Sequence, residues 1–326
     1  MKFLPSLCLA AVLVPLASAC SRRLPEPRDI PVFMYHNVLP ASEDLSVWQV
    51  SAEEFARQMD QLAEAGCTTV LPDEIARAAA GRGTLPEKPV LITFDDGYAG
   101  VAAHAESVLA RHGFKAICYV IAGLLAPEGE ERKTFDSGPL LTASEAAALH
   151  RRGVIRVGSH SMTHARNNPG LLAREIVPSR KALRRIGVNT RAYCHPFGLH
   201  GYEEMLSALR EGGFSTAMVC GDRMFRFSAE ADLFAIPRLS VYGGPHAVSF
   251  EGVDAANGLV RFSNSGAPLP LKAVVRDPAS GRTWESGLER VGGRHRQVAF
   301  SFPPEALNGP RDIEARDQSG LFRYYP

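Results

Sequence analysis

The pattern of apolar and polar positions divides the chain into a long region of alternating periods and a shorter region without helical period. From residue 30 to about residue 242, apolar runs typical of buried strands alternate with amphipathic segments of helical period. The strand-like runs are IPVFMYH (30–36), CTTVL (67–71), LITFDDG (91–97), KAICYVIA (115–122), IRVGSHS (155–161), AYCHPFG (192–198) and FSTAMVC (214–220). Helices are predicted over 51–65, 73–80, a segment ending at Arg111, 142–152, 171–186 and 203–211, and Ser51 with Glu54 and Thr142 with Glu145 match capping boxes. This alternation predicts an α/β fold with parallel strands.

The character of the chain changes after Gly243-Gly244-Pro245. Short strand-like runs are then separated by Gly, Asn and Pro, and no helical period is evident. The pattern predicts a small all-β, sandwich-like accessory domain over residues 245–326. A carbohydrate-binding or protein-docking module and a structural cap on the first domain are both compatible with it.

The amino terminus has the features of an export signal. A short positive start precedes an apolar stretch and the small residues before Cys20, so residues 1–20 are interpreted as a signal peptide with a lipobox. Lipidation of Cys20 would anchor the protein to a membrane, and Ser21 would suit the outer membrane of a Gram-negative cell. Simple cleavage after Ala19, giving a soluble periplasmic or secreted protein, is the alternative. Residues 21–29 are polar and contain Pro, as expected of a tether.

Composition excludes some partners and constrains the cysteines. The net charge of +1 argues against nucleic-acid binding, and 45% hydrophobic residues argue against disorder. Cys67 and Cys118 lie in apolar runs and are predicted to be core residues. Cys194 and Cys220 end two successive strand-like runs and could pair, since an exported protein permits disulfides; the sequence leaves open whether they do.

The strongest chemical signal is the pair Asp95-Asp96 at the end of an apolar run. Strand ends are where α/β folds place their chemistry, although an Asp-Gly capping turn also fits. His160 and His164 follow another strand-like run, four residues apart. One carboxylate and two imidazoles form a three-ligand set for a divalent cation, which leaves the other carboxylate to act as a base. The sequence therefore favours a metal site over a simple turn.

A third segment, AYCHPFG, ends in a Pro-aromatic-Gly turn and completes an ordered set with TFDDGY and SHSMTH. Alone it is compatible with an ordinary turn. Together the three segments resemble the polysaccharide deacetylases of carbohydrate esterase family 4, the NodB-homology enzymes. PVFMYHNV at 31–38 resembles the opening strand of the subgroup of poly-β-1,6-N-acetylglucosamine deacetylases. The resemblance covers about residues 30–242, and a deacetylase domain is expected over 30–244.

This resemblance implies a fold and a role for each matching residue. The fold is a distorted (β/α) barrel with fewer than eight strands. Asp95 matches the catalytic base, and Asp96, His160 and His164 match the metal ligands. The turn Pro196-Phe197-Gly198 matches the motif that lines the substrate groove and holds the oxyanion, with the backbone N–H of Phe197 as the expected donor.

Two departures affect the groups that move protons. The family often has an arginine that contacts the catalytic Asp, and Cys194 stands at that position. No Leu-x-His motif, the usual source of the general acid, occurs near the end of the domain. His36 is our candidate for the acid, the alternative being a histidine satisfied by hydrogen bonds at a strand end. Arg238 is our candidate for the orienting arginine.

The expected activity is metal-dependent hydrolysis of N-acetyl groups on an extracellular polysaccharide that contains N-acetylglucosamine. The ligand set suits Zn²⁺, with Co²⁺, Ni²⁺ or Fe²⁺ as alternatives. Partner proteins of polysaccharide export or of the cell envelope are compatible with this setting. An O-deacetylase, a small-amide hydrolase on the same scaffold and an inactive sugar-binding lipoprotein are the competing interpretations.

Overall fold

The computed structural model describes residues 25–41, 45–46, 48–136, 138–165, 168–221, 223–241, 248–264, 272–292, 297–309, 311–316 and 323–324. The predicted signal peptide, Cys20 and the first part of the predicted tether lie outside these residues, as does the 243–245 boundary. Within the described part of the chain, no helix is both long and apolar enough to cross a membrane.

The first domain alternates strands and helices, as the sequence predicts. Its strands are β1 (Arg28–Ile30), β2 (Val32–Tyr35), β3 (Asn37–Leu39), β4 (Gln49–Ser51), β5 (Thr68–Thr69), β6 (Pro89–Phe94), β7 (Ala116–Val120), β8 (Thr134–Phe135), β9 (Gly138–Pro139), β10 (Ile155–Ser159), β11 (Ala192–Cys194), β12 (Thr216–Met218), β13 (Phe225–Phe227) and β14 (Leu239–Ser240). Its α-helices are α1 (Ala52–Glu64), α2 (Pro72–Ala79), α3 (Glu106–Arg111), α4 (Ala143–Arg152), α5 (Pro169–Arg185) and α6 (Glu203–Gly212). A π-helical turn at Val101–Ala105 leads into α3.

The main sheet has the order β12-β11-β10-β7-β6-β2-β14, with β5 paired beside β6, and every pairing in it is parallel. One face of each strand packs against the helices, as with Phe94 and Cys118. The other face lines the barrel interior, as with Leu91, Tyr119 and Met218. This curled parallel sheet with surrounding helices confirms the expected distorted (β/α) barrel. Because all its strands run in one direction, their carboxyl ends meet at one face of the domain.

The described part of the second region is strand-rich. The strands β15 (Val248–Asp254), β16 (Leu259–Asn264), β17 (Lys272–Arg276), β18 (Thr283–Gly292), β19 (Gln297–Ser301), β20 (Asp312–Arg316) and β21 (Arg323–Tyr324) pair antiparallel in the order β15-β16-β19-β18-β17-β20-β21. Val260, Val275 and Phe300 pack in its core. This all-β character agrees with the expected accessory domain, and its sandwich form and function stay predictions.

Three local expectations need correction. Arg28–Ile30 forms β1, which pairs with β13, so the predicted tether through residue 29 ends earlier. Pro31 separates β1 from β2 and splits the predicted first strand, because proline cannot donate a ladder hydrogen bond. Ser51 caps α1 by accepting from the Glu54 N–H, but the Glu54 carboxylate accepts hydrogen bonds from Arg57 and Gln58 instead of closing a capping box.

The other capping box and the core cysteines are confirmed. Thr142 and Glu145 exchange both hydrogen bonds at the start of α4. Cys118 is buried in the main core and Cys67 is half-buried against it. The disulfide that the sequence left open between Cys194 and Cys220 is not formed, and both residues carry thiols. Cys194 is buried in the barrel interior, whereas Cys220 is exposed beyond β12.

Candidate active site

The two aspartates lie in a tight turn at the carboxyl end of β6. The Asp95 N–H donates to the Tyr35 carbonyl of the neighbouring strand at 2.9 Å. Asp96 and Gly97 then take positive φ angles of 67° and 85°. Asp96 is one of the residue types that tolerate this conformation, and it is strained there. The turn buries both carboxylates, with 3% of Asp95 and 6% of Asp96 exposed.

Arg238 forms a bidentate ion pair with Asp95. Its Nη1 donates to Asp95 Oδ1 at 2.7 Å and its Nη2 donates to Oδ2 at 2.8 Å. Arg238 is fully buried just before β14, and it also donates to Cys194 Sγ at 3.1 Å. The contact that the family resemblance assigns to an arginine at position 194 is thus made by Arg238, from the segment just before β14. Cys194 fills the vacated space, with its Sγ 3.6 Å from both Asp95 carboxylate oxygens.

Asp96, His160 and His164 converge on one point. Asp96 Oδ1 lies 3.5 Å from His160 Nε2 and 3.6 Å from His164 Nε2. One ligand atom from each of the three residues lies within 4.8 Å of the other two. Asp95 lies beside this group, with its Oδ2 3.9 Å from His160 Nε2. The structure therefore brings together all four residues that the sequence singled out.

The loop after β10 fixes the two imidazoles. His160 Nδ1 lies 3.0 Å from the Cys194 carbonyl oxygen, so this nitrogen carries the proton and Nε2 presents a lone pair toward Asp96. Ser161 and His164 take positive φ angles of 66° and 56°, and the His164 N–H donates to Ser161 Oγ at 3.0 Å. Backbone strain of this kind persists only where the surrounding structure supports it.

The charges in this group call for a cation. Burial lowers the pKa of His160 to about 3 and also lowers the pKa of His164, so both rings are neutral near pH 7. Burial, and then the charges of Asp95 and Asp136, raise the pKa of Asp96 well above its ordinary value. Burial alone would raise the pKa of Asp95 as well, but Arg238 holds it below its ordinary range. The Asp96 oxygen and two imidazole lone pairs thus form a buried, compact donor set that fits a divalent cation.

The turn after β11 lies against this donor set. Phe197 has a positive φ of 57°, its side chain is 49% exposed, and its ring meets the His164 ring edge-on with centroids 4.6 Å apart. Gly198 follows with a φ of 69°, and a Cβ there would lie 2.8 Å from both the backbone N and the Cβ of Cys220. Only glycine therefore fits this position. The turn is placed where the sequence expected it, and its oxyanion role stays a prediction.

A pocket of about 220 Å³ joins these elements. It is lined by Met34, His36, Trp48, Asp95, Asp96, Tyr98, Phe135, Asp136, His160, His164, His195, Phe197 and Cys220. His36 is thus in the same pocket as Asp95, and its ring packs on Trp48 with centroids 4.6 Å apart. No described group hydrogen-bonds its Nδ1, and burial lowers its pKa to about 4. The location suits an acid, but the pKa leaves the resting ring neutral near pH 7.

Sequence reasoning missed several pocket residues. His195 is buried, and its Nε2 lies 3.3 Å from the Phe234 carbonyl oxygen. Its position between Cys194 and Pro196 in the third segment was a usable signal. Asp136 and Trp48 come from the β8–β9 hairpin and the segment before β4, and neither follows a main-sheet strand. Nothing in the local sequence around these two residues indicates that they line the site.

Comparison with known proteins agrees with this geometry. Residues 82–217 match the polysaccharide deacetylase family. A relative named as a polysaccharide deacetylase is YxkH of Bacillus subtilis (strain 168). It is 26% identical to this chain over 229 residues, which are 69% of this chain and 76% of YxkH. Residues 82–217 therefore form part of a polysaccharide deacetylase domain.

Solved structures share the fold of this domain. IcaB from Ammonifex degensii is 28% identical, with a TM-score of 0.56 over 65% of this chain and 91% of IcaB. The deacetylase PplD of Streptococcus pyogenes, solved in complex with acetate, is 22% identical, with a TM-score of 0.57 over 68% of this chain and 95% of PplD. Both alignments leave about a third of this chain uncovered, as expected if the shared part is the barrel.

Proposed function

We propose that the protein is a metal-dependent N-deacetylase of an extracellular polysaccharide that contains N-acetylglucosamine. The observation that carries this proposal is the Asp96–His160–His164 donor set beside the ion-paired Asp95. The deacetylase domain and the likeness to IcaB support deacetylation as the reaction. The choice of N-acetyl groups and of the polymer rests on the resemblance of the motifs to the poly-β-1,6-N-acetylglucosamine subgroup.

Asp96, His160 and His164 would hold the divalent ion, with Zn²⁺ as the first candidate and Co²⁺, Ni²⁺ or Fe²⁺ as alternatives. When bound, the ion would supply Lewis acidity that favours ionisation of water and polarises a carbonyl. The Cys194 carbonyl would keep the His160 tautomer correct for ligation. Arg238 keeps Asp95 ionised and oriented, so this carboxylate is available to accept a proton from the attacking water.

The remaining groups would act on the acetamide itself. The Phe197 N–H would donate to the oxygen that becomes negative as water adds to the carbonyl carbon. Cleavage of the C–N bond then releases acetate and leaves an amine on the sugar, which needs a proton. His36 is our candidate donor. Because burial lowers its pKa to about 4, His36 is neutral at rest. It would have to take up a proton from solvent once negative charge develops on the bound substrate, and then pass that proton to the amine.

The cellular setting belongs to the same proposal. Export directed by residues 1–20, followed by lipidation of Cys20, would anchor the enzyme to a membrane in the periplasm or at the outer membrane, where it could reach extracellular polymers. Soluble periplasmic or secreted forms are the alternative. Proteins of polysaccharide export or of the cell envelope are the partners that this setting would supply.

Release of acetate from a panel of substrates tests the proposal. The panel pairs N-acetylated β-1,6-linked glucosamine oligomers with β-1,4-linked oligomers and with O-acetylated glycans, each tested after metal depletion and after return of Zn²⁺. We expect acetate from an N-acetylated oligomer, dependent on metal and absent in Asp95→Asn. Acetate from the O-acetylated glycans alone would identify an O-deacetylase, and binding without acetate release would identify a sugar-binding protein.

A further inference from the structure

The opposite face of the barrel, where the strands begin, carries an unusual concentration of positive charge. The segments 111–115, 150–156 and 180–191 lead into β7, β10 and β11. They contain two, three and five Lys or Arg residues, respectively, and no Asp or Glu. The whole chain has a net charge of only +1, so this charge is concentrated rather than general. We call these three segments the basic amino face.

Sheet topology makes this face continuous. β10 lies between β7 and β11 in the sheet, and all three strands are parallel, so their entrances are neighbours. Arg151, Arg185 and Arg191 are exposed. Among described residues, Arg152 has a carboxylate partner in Glu106, whereas Lys115 and Arg191 have none. Most of this positive charge therefore has no carboxylate partner among the residues that the structure describes.

Helix dipoles account for only part of this pattern. Cations favour the carboxyl ends of helices, and Arg151 and Arg185 lie at such ends. Lys115, Arg156 and Arg191 instead come after the helices, at or next to the first residues of strands. The last turn of α1 has no basic residue. Basic residues are therefore not found at every helix carboxyl end, and the helix dipole alone does not explain the charge of this face.

The basic amino face also surrounds a cavity of about 690 Å³. Lys115, Arg156 and Arg191 line it, as does Thr216. Thr216 is fully buried, and its hydroxyl has no hydrogen-bond partner among the residues that the structure describes. The one carboxylate among the described lining residues, Asp73, lies 3.8 Å from Arg77. A buried hydroxyl without a partner beside several cations fits an anionic oxygen such as that of a phosphate.

The chain enters the barrel at this same face. β1 immediately precedes the amino end of β2, and Arg28 Nη1 donates to the carbonyl of Pro86, just before β6, at 3.0 Å. Cys20 is five residues before Pro25, the first described residue. Five extended residues reach at most about 18 Å. An anchor on Cys20 would thus hold the basic amino face close to a bilayer.

We propose that the basic amino face binds the surface of an anionic phospholipid bilayer, with lipid phosphates at its arginines and in the Thr216 cavity. The active-site pocket, at the carboxyl ends of the strands, then faces away from the membrane toward the polymer. The proposal rests on the charge and topology of this face and does not depend on the deacetylase activity.

Vesicle co-sedimentation of the full chain tests it. Phosphatidylcholine vesicles with and without phosphatidylglycerol are compared, so that any contribution of the leader or anchor is common to both. The test variant is Arg151→Gln/Arg185→Gln/Arg191→Gln. The matched control, Arg174→Gln/Arg223→Gln/Arg276→Gln, removes three exposed cations outside the basic amino face.

We expect tighter binding to the anionic vesicles, a loss of at least about tenfold in the test variant and little change in the control. Each basic residue near an anionic surface contributes about fivefold, and salt near 0.5 M should abolish the difference because it shortens the Debye length. Acetate release from a soluble oligomer should be the same in the test variant and the wild type, which separates this proposal from the proposed function. Equal binding to both vesicle types, an equal loss in the control, or equally tight binding of soluble polyphosphate would overturn the membrane assignment.

Discussion

Arg238 and Asp95 form a buried ion pair in which each carboxylate oxygen accepts one hydrogen bond, at 2.7 and 2.8 Å. The two residues are 143 positions apart; Asp95 follows β6 and Arg238 precedes β14, which are not neighbours in the sheet. Their fork geometry fixes the carboxylate plane, which a single point charge would not do. The pair therefore explains how the site keeps an oriented, ionised Asp95 although a cysteine stands at position 194.

We predict that Arg238→Lys lowers the rate of acetate release by at least about tenfold while metal content is retained, because lysine keeps the charge and loses the bidentate geometry. The Asp95 pKa should rise, so the acidic limb of the pH–rate profile should move to higher pH. Acetate release across pH measures both effects. Arg226→Lys, at an exposed pair with Asp29, is the control and should match the wild type. An unshifted acidic limb would contradict the assigned role.

Metal content should separate the two neighbouring aspartates. His160→Ala, His164→Ala and Asp96→Asn should each reduce the bound divalent ion from about one per chain to near zero, because each removes a ligand from a three-residue set. Asp95→Asn should retain the ion and lose most turnover, since it removes the base. Elemental analysis after dialysis provides the measurement, with His104→Ala as a control outside the site. Equal metal loss in both aspartate variants would show that Asp95 is also a ligand.

His36→Gln tests the proposed proton donor. If His36 protonates the leaving amine, the variant should turn over more slowly with unchanged metal content. The alkaline limb of its kcat profile, which reports the ring in the substrate complex rather than at rest, should disappear. If His36 only packs on Trp48, the alkaline limb should survive and the variant should lose stability. Rate profiles and urea denaturation distinguish these outcomes.

The turn that carries Phe197 should depend on Gly198 for a steric reason. Gly198 and Gly201 both have positive φ, 69° and 80°, but only at Gly198 would a Cβ meet other atoms. Gly201→Ala should cost about 1–2 kcal/mol of unfolding free energy from backbone strain alone. Gly198→Ala should cost more and should also slow acetate release, because the clash with Cys220 displaces the turn. Urea denaturation and acetate release provide the comparison, and equal behaviour of the two variants would count against the clash.

His150 should make the fold sensitive to acid. Burial, and then the charge of Arg156, lower its pKa from 6.5 to about 4, while its Nδ1 accepts the Val157 N–H. Below pH 6.5 the unfolded chain takes up a proton that the folded chain does not bind until about pH 4, so stability present above pH 6.5 is lost as the pH falls. His150→Gln should therefore reduce the slope of unfolding free energy against pH between these values, by up to about 1.4 kcal/mol per pH unit. Parallel curves for the variant and the wild type would show that His150 does not titrate in this way.

The sequence by itself determined the alternation of strands and helices, and it identified the groups at the ends of β6 and β10. Those inferences depend on local periodicity and on short spacings between residues. The four-residue spacing from His160 to His164 is one such local signal. Parallel strands then bring such groups together, because their carboxyl ends share one face. The third segment was predictable for the same reason.

Tertiary structure decided what depends on residues distant in the chain. The ion pair joins Arg238 and Asp95, which are 143 positions apart in the chain. Trp48 and Asp136 reach the pocket from segments with no strand-end pattern. Cys194 ends β11 and Cys220 follows the adjacent β12, but their surroundings differ: the Cys194 thiol is buried beside Arg238 and Cys220 is exposed. Side-chain direction, burial and charge pairing across a closed sheet are set by the packing of the whole domain, and no local pattern in the sequence encodes them.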